Sequence, residues 1–60
     1  MTKLYEVPNK TWVESKDGHK FFFDHIDGMY SFCHEIGGGI SHYSAMMEVK
    51  VSEDQNVGKV

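Results

Sequence analysis

Apolar and aromatic residues alternate with polar ones over short stretches, and turn-forming residues interrupt this alternation at regular intervals. The period of two is typical of β-strands, and no stretch shows the 3.6-residue period of a helix. The last stretch is assigned to a strand because apolar Met47 and Val49 flank a charged Glu48. The pattern predicts five strands, near residues 3–7, 11–15, 19–26, 29–36 and 40–51.

Turn chemistry between these stretches predicts how the strands connect. Asp27-Gly28 is the strongest hairpin signal, because a two-residue type I′ turn needs a positive φ at both central positions. Such a turn would place Ile26 opposite Met29. The run Gly37-Gly38-Gly39 predicts the next hairpin loop. Five short antiparallel strands indicate an all-β fold, either a small SH3-like barrel or a curled meander.

The chain length limits the domain organisation. With 60 residues, of which 40% are hydrophobic, the chain has room for one small core. A domain of this size buries only about 60% of the surface that its unfolded chain exposes. We expect residues 1–52 to form a single β domain and residues 53–60 to form a polar, frayed C-terminal tail.

The alternation divides the predicted sheet into two faces, and both are apolar. We assign the core to Phe22, Ile26, Met29, Cys33, Tyr43, Ala45, Met47, Val49 and Val51. The opposite face also carries His25, and an exposed aromatic patch on so small a protein marks a contact surface. The residues predicted for this contact surface are Phe21, Phe23, Tyr30, Phe32, His34, His42 and Met46.

Three histidines and a cysteine raise the question of metal binding or catalysis. His25, His34, His42 and Cys33 are residue types that bind zinc, but their spacing matches no zinc motif. In a strand, Cys33 and His34 point to opposite faces, so His34 cannot activate the thiol. We therefore predict no metal site, no cofactor and no catalytic residue, and we expect that the protein is not an enzyme.

Charge argues against nucleic acid as the main partner. The six basic residues are all lysine, nine residues are acidic, and the net charge is −3. Nucleic-acid readers usually carry a basic patch and use arginine. The alternative that stays open is a nucleic-acid-associated small β-barrel, with bases stacked on exposed aromatic side chains. The candidates for that stacking are Trp12, Phe21, Phe23 and Tyr30.

The remaining signals concern location. No stretch approaches the run of about 18 apolar residues that a membrane span needs. The first residues lack the apolar run of a signal peptide, and the single Cys33 fits a reducing compartment. These signals predict a cytoplasmic protein without a membrane segment.

The segment DHIDGMYSFC, residues 24–33, resembles a stretch in short uncharacterised proteins of tailed phages that infect marine cyanobacteria. Residues 3–8 and 41–51 are similar to those proteins in layout. The resemblance implies a phage or environmental viral origin, and for a viral protein it implies a location in the host cytoplasm. It implies no known activity and no catalytic residue.

The leading hypothesis from the sequence is a small non-enzymatic accessory protein that binds a protein partner or itself. A core of this size is marginal, and small domains without disulfides or metals often gain stability by oligomerising. Pairing two copies would bury the second apolar face with one self-complementary surface. A two-fold homodimer is therefore expected.

Overall fold

A single antiparallel sheet makes up the fold. The computed structural model describes residues 1–55, and its strands are β1 (Thr2–Lys3), β2 (Thr11–Ser15), β3 (Lys20–Asp27), β4 (Tyr30–Glu35), β5 (Ile40–Ser41) and β6 (Glu48–Val51). The strand order is β1-β6-β2-β3-β4-β5, and the sheet does not close into a barrel. The predictions of an all-β fold and a curled meander are confirmed, whereas SH3-likeness stays a prediction.

The predicted strand boundaries hold best in the middle of the chain. The prediction for β2 is confirmed to the residue, and β3 and β4 each lie within about one residue of their predicted ends. The predicted strand at 3–7 is instead the short β1 followed by a turn of 3₁₀ helix, Leu4–Glu6. No helix in residues 1–55 is long and apolar enough to cross a membrane.

The predicted strand at 40–51 is interrupted, because residues 44–47 hydrogen-bond to two distant parts of the chain. On one side, the Leu4 N–H donates to the Met47 carbonyl at 2.9 Å, and the Tyr5 N–H donates to the Ala45 carbonyl at 3.1 Å. On the other side, the Ala45 N–H donates to the Met29 carbonyl at 2.9 Å. The segment therefore links the 3₁₀ turn after β1 to the turn between β3 and β4, and it separates β5 from β6.

The turn between β3 and β4 consists of Gly28 and Met29, because Asp27 pairs with Tyr30. The predicted turn at Asp27-Gly28 is wrong by one residue. Gly28 has a φ of +66°, and Met29 is not among the residues with positive φ. A positive φ at the first central position alone is the type II′ pattern, which fits a two-residue hairpin as well as type I′ does.

A β-bulge in β3 decides which side chains enter the core. His25 lies opposite Phe32 and Phe23 lies opposite Cys33, so Asp24 is an extra residue between the two pairs. An extra residue moves the rest of a strand to the other face of the sheet. The bulge therefore turns Phe21 and Phe23 inward, where both are fully buried.

The core lies on one side of the curled sheet. It consists of Leu4, Val7, Val13, Phe21, Phe23, Cys33 and Val49, with Ile26, Tyr43 and Met47 packed against it. Burial of the predicted core residues Cys33, Ala45 and Val49 is confirmed. Three assignments to the core were wrong. Phe22 is only half-buried because of the bulge, Met29 is 80% exposed in the turn, and Val51 is 48% exposed at the end of β6.

The chain after β6 remains bonded to the sheet through Trp12. The Ser52 N–H and the Gln55 Nε2 both donate to the Trp12 carbonyl, at 2.9 and 3.0 Å. The Trp12 N–H donates to Gln55 Oε1 at 2.8 Å, so the side-chain amide takes the place of a further strand residue. Residues 53–55 of the predicted tail thus belong to the fold, and residues 56–60 lie outside the described residues.

Candidate functional site

The side of the sheet opposite the core carries a continuous set of aromatic and imidazole rings. We call this part of the sheet the aromatic face. Its members are Trp12, Phe22, Asp24, His25, Asp27, Tyr30, Phe32, His34, Ile40 and His42. Neighbouring strands bring Trp12 and Phe22 together with ring centroids 5.3 Å apart, and Phe22 and His34 at 5.9 Å. The rings therefore run across the sheet from β2 to β4.

Three imidazoles surround the Phe32 ring. His25, opposite Phe32 on β3, stacks on it at 5.4 Å with an interplanar angle of 10°. His34 and His42 meet the ring edge-on, with centroids at 5.4 and 5.7 Å. These geometries match the preferences of aromatic pairs for offset stacking and T-shaped contact.

The bulge places the Asp24 carboxylate between two of these imidazoles. Its Oδ1 lies 2.9 Å from His25 Nδ1, and its Oδ2 lies 3.3 Å from His34 Nε2. The hydrogen bond with His25 lowers the pKa of Asp24 below its ordinary value, although burial opposes the shift. Asp24 is therefore ionised at neutral pH, and both histidines donate an N–H to it.

His42 is fixed in orientation by the backbone. Its Nδ1 lies 2.9 Å from the Ser31 carbonyl oxygen, which can only accept a hydrogen bond. His42 therefore donates from Nδ1. Its Nε2 keeps a free lone pair in the neutral ring, and the side chain is exposed.

The structure brings together part of the predicted contact surface. Tyr30, Phe32, His34 and His42 lie on the aromatic face as predicted. The placement of Phe21 and Phe23 on that surface was wrong, because the bulge buries both in the core.

Trp12 and Phe22 lie on the aromatic face, although the sequence predicted neither of them for the contact surface. Trp12 was considered only as a base-stacking candidate, and Phe22 was assigned to the core. The signal that could have found Phe22 is the polar Asp24, which interrupts an otherwise aromatic strand and marks a register change.

Met46 lies at a separate apolar groove rather than on the aromatic face. The groove is about 290 Å³ and is lined by Tyr5, Ile26, Gly28, Met29, Ser44, Ala45 and Met46. It forms where residues 44–47 meet the β3–β4 turn. Sequence reasoning missed this groove because it assigned Met29 to the core.

The fourth histidine belongs to a hydrogen-bonded group on the core side of the sheet. The Tyr43 hydroxyl donates to Glu35 Oε2 at 2.5 Å, and His19 Nε2 lies 2.8 Å from Glu35 Oε1. Burial alone would raise the pKa of Glu35, but hydrogen bonds from Tyr43, Ser41 and His19 lower it overall. Burial and the neighbouring Glu35 raise the pKa of Tyr43 to about 12.

Cys33 has the environment of a packing residue. Its side chain is fully buried, and burial raises the pKa of the thiol above its ordinary value. A nucleophilic thiol needs a lowered pKa and access to a substrate. The thiol contacts the Ser31 hydroxyl at 3.2 Å, inside the core.

Within residues 1–55, no three His, Cys, Asp or Glu side chains are arranged to hold a metal ion. Comparisons with protein-family models, curated proteins and solved structures find no match for this chain.

Proposed function

We propose that this protein is a non-enzymatic interaction module that binds another protein through its aromatic face. The observation that carries the proposal is the exposure of this face. Tyr30 is 58% and Ile40 47% exposed, and Phe22 and Phe32 are only half-buried. In residues 1–55 the sheet forms the only layer, whereas protein sheets usually bury an apolar face against a second layer.

The state of the reactive groups supports a role without catalysis. Cys33 is enclosed in the core, and Tyr43 and Glu35 are bonded to each other. On the aromatic face, Asp24 is already occupied by two imidazoles. A phage accessory role in the host cytoplasm agrees with this proposal and rests on the sequence resemblance alone.

Nucleic acid fits the aromatic face less well than protein does. Two of the four stacking candidates, Phe21 and Phe23, are fully buried, and Trp12 is only 4% exposed. The face carries the carboxylates of Asp24 and Asp27, which repel phosphate. Titration with labelled single-stranded DNA at low salt tests this alternative, and tight, salt-sensitive binding would favour it over the proposal.

Substitutions on the two apolar surfaces test which of them binds. Tyr30→Ser and Ile40→Ser alter the aromatic face, and Met46→Ser is the matched change in the groove. We expect the first two variants to lose capture of the partner by immobilised protein, and the third to keep it. If Met46→Ser instead loses capture and the other two variants keep it, the partner binds at the groove and the proposal is wrong.

A second copy of the chain is one candidate for the partner. A two-fold dimer would bury the aromatic face of both copies with one self-complementary surface. Sedimentation over about a hundredfold range of protein concentration detects such a dimer, because the dimeric fraction rises with concentration. Dissociation by Tyr30→Ser, with Met46→Ser unchanged, would place the dimer contact on the aromatic face.

A further inference from the structure

We infer that the partner segment recognised by the aromatic face is cationic, and that it presents lysine or arginine side chains. This inference rests on the proposed function and names the chemistry of the partner. Three properties of the face carry it: the orientation of the imidazoles, the sign of the fixed charges and the exposed aromatic rings.

In their neutral form, the imidazoles present hydrogen-bond acceptors rather than donors. His25 and His34 give one N–H each to Asp24, and His42 gives its N–H to the Ser31 carbonyl. A neutral imidazole has a single N–H. The remaining nitrogens, Nε2 of His25, Nδ1 of His34 and Nε2 of His42, therefore keep their lone pairs.

The fixed charges of the face are both negative. They are Asp24 at the bulge and Asp27 at the end of β3, where its side chain is exposed. The Lys10 N–H donates to the Asp24 carbonyl at 3.0 Å, but the Lys10 ammonium forms no ion pair with the Asp24 carboxylate.

Two further lysines lie on the same side of the sheet but at its other end. Lys20 and Lys50 line a polar groove there together with Glu14, Glu53 and Asp54. The Lys50 ammonium lies 3.9 Å from Glu14 Oε1, and three carboxylates line the groove beside the two ammonium groups. These two positive charges therefore lie at the polar groove, whereas the aromatic face itself carries the carboxylates of Asp24 and Asp27.

The rings add a third attraction for cations. Aromatic faces carry partial negative charge and attract ammonium and guanidinium groups. Tyr30, which is 58% exposed, and the half-buried Phe22 contribute such rings. A surface made of acceptors, carboxylates and π faces is complemented by a donor-rich cation. Phosphate lacks the required donors.

Titration of the isotopically labelled protein with short peptides tests the inference. The probes are hexalysine and hexaarginine, with hexaglutamate as the control, and backbone amide signals report the site. We expect the two cationic peptides to shift signals of β3 and β4 around Asp24, His25 and Phe32. Because exposed ion pairs are screened, added salt should weaken the binding.

Variants that remove one negative charge distinguish binding at the aromatic face from a general attraction of cationic peptides to an acidic protein. Asp27→Asn should weaken hexalysine binding by about two- to fivefold, the usual effect of one exposed ion pair. Glu53→Gln removes the same charge at the other end of the sheet and should leave the affinity unchanged.

Two outcomes would overturn the inference: unmoved signals on the aromatic face, or equal effects of Asp27→Asn and Glu53→Gln. The proposed function fails by a separate result. If the cationic peptides do not bind but Tyr30→Ser still abolishes partner capture, the face is an interaction surface for a partner of other chemistry. If Tyr30→Ser has no effect on capture either, both proposals are wrong.

Discussion

At the scale of the residue, Gly28 is a position where the backbone conformation restricts which amino acids fit. Its φ is +66°, and an added Cβ would meet no atom within 4 Å. The cost of a larger residue there is therefore backbone strain rather than a clash. We expect Gly28→Val to lower the free energy of unfolding by about 1–2 kcal/mol or more, measured by urea denaturation.

The neighbouring position provides the matched control for this prediction. Met29 is 80% exposed and does not have a positive φ. Met29→Val should therefore change the free energy of unfolding by no more than about 0.5 kcal/mol. Equal losses from the two substitutions would contradict the assignment of the turn.

Tyr43 provides a prediction about pH. Its folded-state pKa is raised from 10.0 to about 12, so the protonated phenol is favoured by folding. The contribution of the protonated Tyr43 phenol to the free energy of unfolding is fully present below pH 10 and is lost as the pH rises to about 12. Unfolding by urea at successive pH values should show this loss in the parent protein, and Tyr43→Phe should remove it.

The same substitution has an effect at neutral pH. Tyr43→Phe removes the hydrogen bond to Glu35. We expect the free energy of unfolding to fall by about 1.5–3 kcal/mol, which is the usual contribution of a hydrogen bond to a charged group. Tyr30→Phe is the control, because the Tyr30 side chain is 58% exposed and its hydroxyl has no such partner. If the free energy of unfolding of Tyr43→Phe falls at alkaline pH as steeply as that of the parent protein, the ionisation of the Tyr43 phenol is not linked to folding.

At the scale of the element, the bulge in β3 is the feature that organises both faces of the sheet. Deleting Asp24 would restore a regular register, and Phe21 and Phe23 would then have to leave the core. Exposing a buried phenylalanine costs about 1.5–3 kcal/mol. We therefore expect the deletion to leave the chain unfolded, as measured by circular dichroism and urea titration.

A substitution at the same position separates the extra residue from its charge. Asp24→Asn keeps the residue count, and its amide oxygen can still accept a hydrogen bond from one of the two imidazoles. We expect this variant to fold. A deletion variant as stable as Asp24→Asn would show that the bulge does not determine the burial of the phenylalanines.

Local patterns in the sequence predict much of the fold, and the bulge shows their limit. The alternation in residues 11–15 and the glycine in the β3–β4 turn suffice to place β2 and the hairpin. No glycine or proline marks the bulge itself. Because a single extra residue exchanges the two faces, the prediction buried Phe22 in place of Phe21 and Phe23.

The candidate site was predictable only in part for the same reason. Alternation alone correctly places His34 and His42 on the face of Phe32. The contact of Asp24 with two imidazoles depends on the bulge and on pairing between strands. The break between β5 and β6 depends on hydrogen bonds to Leu4 and Met29, which lie far away in the sequence.

At the scale of the whole molecule, a side chain near the described end of the chain stabilises the middle of the sheet. Gln55 exchanges two hydrogen bonds with the Trp12 backbone and donates a third to the Ser52 carbonyl. We expect Gln55→Ala to lower the free energy of unfolding by about 1–3 kcal/mol, because the Trp12 N–H loses its partner. Glu53→Ala is the control and should change little in the same thermal or urea measurement.

The position of Gln55 also bears on how the protein avoids aggregation. Beyond Val51, the β2 backbone at Trp12 would present an unpaired N–H, which is a template for intermolecular strand addition. The Gln55 amide accepts from this N–H, adds a second hydrogen bond to the Trp12 carbonyl, and is too short to offer a new edge of its own. A single glutamine thus ends the hydrogen-bonded ladder at a point where a foreign β-strand could otherwise have continued it.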